Sequence, residues 1–322
     1  MVSAKPVLCL VTPGTRRANN GNWRTASRWA KMLRDRYRVI VQTEWDGRDC
    51  AAMIALHARR SAGSIARFHE RSGSRHLAVV LTGTDLYRDL PASLEAAHSL
   101  DVAGQIVVLN AESARGLAPR WRRKTRVIVQ SARPVRIARR RAPPVRFVAV
   151  GHLREEKDPR TLFAAIERLP DDLAFELRHI GAALEESLGR MARALAAREK
   201  RYAYAGALPA AAARRAIASA HALVHPSAME GGAHVVIEAV TSGTPVIASR
   251  IPGNVGLLGR GYPGYFPPGD AAALAARLEQ ACNDPAYLER LARACAARRK
   301  LFSPATESRA VKALVQELTA RR

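Results

Sequence analysis

Hydrophobic runs of strand length alternate with longer segments of helical periodicity along nearly the whole chain. Val7–Thr12, Val39–Gln42, Ala52–His57, Leu77–Thr82, Gln105–Asn110 and Arg126–Gln130 read as strands buried on both faces. Between them Trp23–Arg34, Ser61–Arg71, Ala92–Leu100 and Glu112–Trp121 carry helical patterns. The pattern breaks at residues 131–145, where three prolines and a charge run interrupt any period. A second series then begins, with strands expected at Arg146–Gly151, Phe175–Gly181, Tyr202–Gly206, Leu223–Pro226 and Pro245–Ser249. Its helices are expected at Asp158–Leu169, Leu184–Glu199, Pro209–Ala220 and Val235–Ser242, then Asp270–Asn283, Pro285–Lys300 and Pro304–Ala320. Repeated βα units predict an α/β protein with two doubly wound, Rossmann-like domains. The expected division is 1–135, a linker at 136–145, a second domain at 146–303, and a final helix at 304–322 packing back toward the first domain.

Composition changes this picture little. Hydrophobic residues make up 48% of the 322 and charged residues 25%, which suits a chain able to bury a core and excludes general disorder. The first apolar run leads into Pro13-Gly14 and not into a cleavage site, and no run reaches the ~20 residues of a membrane span. Cys9, Cys50, Cys282 and Cys295 form no CxxC pair, so reduced thiols and a cytoplasmic location are expected. The net charge of +24 raises nucleic acid as a partner. Only 5% of residues are aromatic, however, and basic and aromatic residues do not interleave as base stacking requires. The expectation is therefore no nucleic acid, with part of the charge serving an anionic substrate.

The chemistry concentrates between His225 and Ser249. A strand ending at His225-Pro226 leads to a turn holding Glu230, Gly231 and Gly232; Ala233 follows, and a helix starts near His234. Small residues there expose backbone N–H groups at a helix N-terminus, an anion site. Glu230 lies in the loop and can accept from sugar hydroxyls; Glu238, eight residues on, can accept both hydroxyls of a ribose. Lys157 follows the first strand of this half in Gly151-His152-Leu153-Arg154-Glu155-Glu156-Lys157. A fixed lysine and a helix N-terminus can stabilise the charge on a departing diphosphate, so neither a metal nor another cofactor is expected. Asp46/Asp49 and Asp85/Asp89 read more simply as loop or cap residues than as metal ligands.

The pattern S-x-x-E-G-x(6)-E-A-x-x-x-G-x-P-V-x-A-S, carried by Ser227, Glu230, Gly231, Glu238, Ala239, Gly243, Pro245, Val246, Ala248 and Ser249, resembles the donor-site signature of the GT4-like glycosyltransferases of GT-B fold. The segment from Gly151 to Lys157 resembles their second signature, G-R-x-x-x-x-K, with His152 in place of the usual arginine. The resemblance implies that Lys157 binds the diphosphate of a nucleotide sugar, Glu238 its ribose and Glu230 its sugar. It implies two such domains facing a cleft. Gly14, at the first strand end, and Gly253 and Asn254, in the run Ile251-Pro252-Gly253-Asn254-Val255-Gly256, complete the donor contacts expected beside His152, Gly231, Gly232 and Ala233.

Three strand ends of the first half carry polar residues that look like one acceptor pocket: Asn19 to Asn22, with Arg24 on the helix it opens; His57 with Arg59 and Arg60; and Thr84-Asp85 with Tyr87 and Arg88. Asn20, Asn22, Arg24, Arg59, Arg60, Thr84, Tyr87 and Arg88 are the candidate acceptor contacts. His57 and Asp85, candidate catalytic residues with Lys157 and Glu230, orient a nucleophile or act as base on a hydroxyl. ALHARRS, LTGTDLYRDL, SAMEGGAHVVIEA and SRIPGNVGLLGRGYPGYF resemble the selenosugar synthases of selenoneine biosynthesis over nearly the whole chain. That resemblance implies transfer from UDP-glucose or UDP-N-acetylglucosamine to selenophosphate, with a carbon–selenium bond formed and UDP released. The alternative is a GT4-like transferase acting on a hydroxyl acceptor, a small metabolite or a lipid.

Overall fold

The computed structural model describes residues 4–15, 21–137 and 143–320. The chain forms two compact units, Met1–Gln130 with Pro304–Arg322, and Ser131–Ser303.

In the first unit the β-branched and aliphatic runs become β1 (Val7–Val11), β2 (Arg38–Gln42), β3 (Ala52–Leu56), β4 (Leu77–Val80), β5 (Gln105–Val108) and β6 (Thr125–Val127). They form one sheet in the order β2-β1-β3-β4-β5-β6, every pair parallel. Its central strands are buried along their length apart from Val7, which is partly buried, as their unbroken apolar sequence requires. On one face the helix Gly21–Leu33 lays Ala26, Trp29, Ala30 and Leu33 against the sheet together with Val311, Leu314 and Val315 of the helix Pro304–Thr319. A buried carboxylate ties these two helices: Glu307 accepts from Trp29 Nε1 at 2.8 Å and from Arg28 Nε at 3.0 Å. Ala26, Trp29, Ala30 and Leu33 make one side of the helix Gly21–Leu33 a core face. The expected helix Glu112–Trp121 is two short ones, Ala111–Arg115 and Pro119–Arg122, because Pro119 starts a new first turn.

The second unit holds β7 (Val145–Val150), β8 (Phe175–Ile180), β9 (Tyr202–Tyr204), β10 (Ala222–His225), β11 (Val246–Ser249) and β12 (Tyr265–Phe266), all parallel in the order β12-β11-β10-β7-β8-β9. The run Ile251 to Gly256, expected to complete the donor contacts after a strand end, belongs mainly to the helix Pro252–Leu258, with Pro252 at its first position.

Sheet order fixes where a ligand meets each unit. Strand order reverses between β1 and β3 in the first sheet and between β7 and β10 in the second. Such points open a crevice at the carboxyl ends of the flanking strands. The segments leaving those ends are Thr12–Thr15 and His57–Ser61 in the first unit, and residues 151–157 and 226–233 in the second.

Candidate active site

In the second unit the end of β7 is pinned by close backbone approach. A Cβ on Gly181 would lie 1.8 Å from the Gly151 carbonyl oxygen, so only glycine fits there. The chain then makes a tight turn over Glu155–Lys157, and Asp158 takes a left-handed conformation (φ 46°). The Asp158 carboxylate caps the helix Pro159–Ile166, accepting from Thr161 N at 3.2 Å and Thr161 Oγ1 at 2.6 Å. The carbonyl of Glu156 accepts from the N–H groups of Ala228 and Met229 at 3.1 and 3.3 Å, joining this turn to the loop after β10.

That junction brings Lys157 and Glu230 together. Lys157 Nζ donates to Glu230 Oε1, which also accepts from Ser227 Oγ at 3.0 Å and lies 3.2 Å from His225 Nε2. Burial alone would raise the Glu230 pKa, but the Lys157 charge and then His225 outweigh it, so the carboxyl is held well below its usual value. Ser227 is itself anchored, its carbonyl accepting from Ser249 Oγ at 2.5 Å. A Cβ on Gly253 would sit 2.1 Å from the Glu230 carbonyl oxygen, so the helix Pro252–Leu258 starts directly against this loop.

Glu238 stands apart, on the helix His234–Ser242. Its buried carboxylate lies 3.4 Å from His234 Nδ1 and 3.6 Å from Arg214 Nε. Gly231 and Gly232 precede this helix and Ala233 is its N-cap, which offers no capping side chain. Two residues expected at the donor also brace the loops. Asn254 is fully buried and donates through Nδ2 to the Ser249 carbonyl at 2.9 Å, so its side chain holds a loop. His152 Nδ1 accepts from Ala182 N at 3.0 Å, tying the ends of β7 and β8.

The first unit builds its polar cluster on a strained residue. His57 follows β3 at φ 74°, a left-handed conformation that non-glycine residues rarely adopt. Its N–H donates to the Val80 carbonyl at 2.9 Å and its carbonyl accepts from Ser61 N at 3.0 Å, which over-determines the turn. Residues Asp85–Asp89 wind one wide turn closed by Leu90 N to the Asp85 carbonyl at 2.8 Å. This turn aims both carboxylates at His57: Asp85 Oδ1 lies 3.2 Å from Nδ1 and Asp89 Oδ2 lies 3.4 Å from Nε2. All three side chains are buried. The reading of Asp85 and Asp89 as loop or cap residues is corrected by this convergence. Among the described residues they and His57 form the set spaced closely enough to hold a metal ion. Each carboxylate faces a different ring nitrogen, which suits an imidazole held between two acids better than ligands directed at one centre.

Asp85 Oδ2 also accepts from Ala58 N at 2.8 Å, and Asp89 Oδ1 accepts from Arg59 Nη1 at 3.2 Å and Arg88 Nε at 3.4 Å. Thr84 Oγ1 lies 3.4 Å from His57 Nε2. Arg59, Arg88 and Asp89 border an open cavity of about 590 Å³ completed by residues 92–95. Other expected acceptor residues do not join this cluster. Tyr87 hydrogen-bonds Ser113 Oγ at 3.1 Å, Arg60 is exposed and contributes only its N–H to His57 Nδ1, and Asn22 and Arg24 lie on the helix Gly21–Leu33. Gly14 is buried beyond β1; Asn20 lies outside the described residues. Asp89 and His225 are the polar partners that sequence reading did not select. The i, i+4 spacing of Asp85 and Asp89 was the available signal for the first.

Solved structures with this fold are glycosyltransferases of the GT-B class. HepE of Anabaena, in complex with UDP and glucose, superposes with a TM-score of 0.73 at 16% identity, over 96% of this chain and 99% of that one. Sucrose-phosphate synthase of Thermosynechococcus elongatus gives 0.76 at 17% identity over 98% and 99%. The pneumococcal O-GlcNAc transferase GtfA, with UDP and GlcNAc, gives 0.65 at 18% over 84% and 57%. No curated protein sequence matches. Residues 136–298, half of the chain, match the family model for glycosyl transferases group 1, and the chain belongs to that family. Among the described residues no helix is long and apolar enough to cross a membrane.

Proposed function

We propose that this glycosyltransferase is a selenosugar synthase, moving a hexosyl group from UDP-glucose or UDP-N-acetylglucosamine to selenophosphate. Selenium attacks the anomeric carbon while the bond from that carbon to the β-phosphate oxygen breaks, and the electron pair leaves with UDP. Lys157 meets the diphosphate as its charge grows, helped by the N–H groups of residues 231–233. Glu230 then accepts from sugar hydroxyls and Glu238 from the ribose. The donor half is supported by Lys157 and Glu230 meeting at the sheet's switch point and by neighbours solved with UDP. No metal enters this scheme, and activity is expected to survive chelation.

The acceptor half rests on the four sequence strings quoted above. The observation favouring it is the arginine pair bordering a cavity beside a buried histidine. Selenophosphate is anionic and already nucleophilic, so it requires cationic clamps more than a strong base. The His57–Asp85 contact favours a second reading, in which His57 serves as base on a hydroxyl acceptor.

The test is UDP release from each donor, with and without selenide, ATP and a selenophosphate synthetase. UDP released only while selenophosphate is made, with a selenium-bearing sugar by mass spectrometry, is the expected result. Donor binding without selenium in any product overturns the acceptor and leaves the hydroxyl reading.

A further inference from the structure

The buried carboxylate of Glu238 is costly unless its charge is answered. Two groups answer it, and both meet the same oxygen. Arg214 Nε, on the helix Ala210–Ser219, lies 3.6 Å from Oε1. His234 Nδ1, one turn earlier on the helix that carries Glu238, lies 3.4 Å from Oε1 as well. The far edge of each group is tied to the main chain. Arg214 Nη2 donates to the Arg133 carbonyl, and His234 Nε2 donates to the Ser131 carbonyl at 3.2 Å. A carbonyl oxygen only accepts, so Nε2 carries the proton in that contact. One turn beyond Glu238, Ser242 Oγ accepts from Val135 N at 3.1 Å. The segment 131–135, the first of the second unit, therefore runs beside the helix His234–Ser242 and supplies the fixed points.

We infer that Arg214 is a positioning residue for nucleotide recognition: anchored by the Arg133 carbonyl, it draws Oε1 of Glu238 to one side and so orients the carboxylate for the two hydroxyls of a ribose. The terminal torsion of a glutamate is broad, so the carboxylate plane turns freely unless a partner fixes it. An arginine on an unrestrained stem would lose rotamer freedom in doing so and gain little. Here the main-chain acceptor already sets the guanidinium plane, and its rigid fork aims Nε at Glu238. Arg214 does not touch the nucleotide. The inference rests on the proposed role of Glu238 as acceptor of the ribose hydroxyls.

The test is calorimetry on the full-length protein with UDP and 2′,3′-dideoxyuridine diphosphate as probes. The native protein should bind UDP about tenfold or more tightly than the dideoxy nucleotide. Arg214→Met keeps the stem at a helix position whose side chain is 32% exposed. It should weaken UDP binding about three- to tenfold and leave the dideoxy nucleotide unaffected, which also shows that the variant is folded. Added to Glu238→Gln, the same change should alter neither affinity. Undiminished UDP binding by Arg214→Met, or an equal loss for both nucleotides, overturns the inference. So does an arginine effect that persists in the Glu238→Gln background, since Arg214 would then meet the nucleotide itself. A Glu238→Gln protein that prefers UDP as strongly as the native one removes the ribose reading and this inference with it. Loss of that preference in Glu238→Gln but not in Arg214→Met removes the positioning role alone.

Discussion

Replacing Lys157 by methionine should expose how the donor-side pair is held. The change keeps the stem and removes the charge that Glu230 meets. Glu230 is 8% exposed and the Lys157 side chain 22%, so the pair lies between a surface bridge and a buried one. Surface pairs contribute ~0–1 kcal/mol, whereas stranding a buried charge costs ~3–5 kcal/mol. Ser227 and His225 remain beside Glu230, so the expected loss at about pH 7 is ~2 kcal/mol, between those limits.

The loss should depend on pH in a definite direction. In the native chain the Glu230 carboxyl titrates below its usual 4.5, so its stabilising contribution is complete above that value and disappears as pH falls through the folded value. Without Lys157, burial meets less opposition and the folded pKa rises. The variant's penalty is then largest at neutral pH and shrinks as its Glu230 takes up a proton, so the gap to native should narrow toward about pH 4 and close only as pH falls through the native folded value. Glu230→Gln has no charge to strand, and adding Lys157→Met to it should cost less than ~0.5 kcal/mol. All four tryptophans (Trp23, Trp29, Trp45 and Trp121) belong to the first unit, so their fluorescence is the wrong probe. Hydrogen exchange in rising urea, read by mass spectrometry on peptides from β10 and the helix His234–Ser242, reports the right region. A loss that is the same at both pH values, or the same in the Glu230→Gln background, refutes the argument.

Gly253→Ala would drive a Cβ to 2.1 Å from the Glu230 carbonyl oxygen, and the forced shift should cost ~1–3 kcal/mol and weaken UDP binding in calorimetry. Glu238→Gln should raise the UDP dissociation constant by about tenfold or more with little change in melting temperature, if its carboxylate holds the ribose as proposed. Glu307→Ala leaves Trp29 Nε1–H and Arg28 without their shared acceptor and should lower first-unit stability by ~3 kcal/mol. Tryptophan fluorescence in urea measures that loss directly, and Glu307→Gln should recover part of it.

Most of the fold was legible because its signals are local. Unbroken aliphatic runs marked the strands, and side-chain caps at Ser93, Asn110, Asp158, Asp270 and Asp284 sit where helix starts were sought. β12 escaped because Tyr265–Phe266 is too short to show a period. The helix Pro252–Leu258 was not among those expected, because Gly253 and Gly256 weaken a helical pattern although Pro252 is a helix-starting signal. In the sites, motif spacing singled out Lys157 and Glu230, which meet in the structure, whereas the hydrogen bonds of Asn254 left no such signal. Its neighbours resemble a phosphate loop, and only packing shows its amide turned inward onto Ser249. The contact of Asp89 with His57 was least legible, because it depends on His57 taking a left-handed conformation and on a turn wound wider than an α-helix. Neither leaves a periodic trace.

The two sites share a device that the bulk charge obscures. Lysine and arginine number 52 against 28 acidic residues, so the cations outnumber the acids by 24. Lys157, Arg59 and Arg88 each meet an acid, and in each case the carboxylate is the more buried member. A basic surface alone attracts anions of many kinds without ordering them. A cation held against a buried acid is fixed in direction before a ligand arrives, and a ligand must offer enough charge to share or replace that acid. On the proposed reading this favours a diphosphate at Lys157 over singly charged competitors, and the many arginines elsewhere would contribute mainly a long-range attraction that salt weakens.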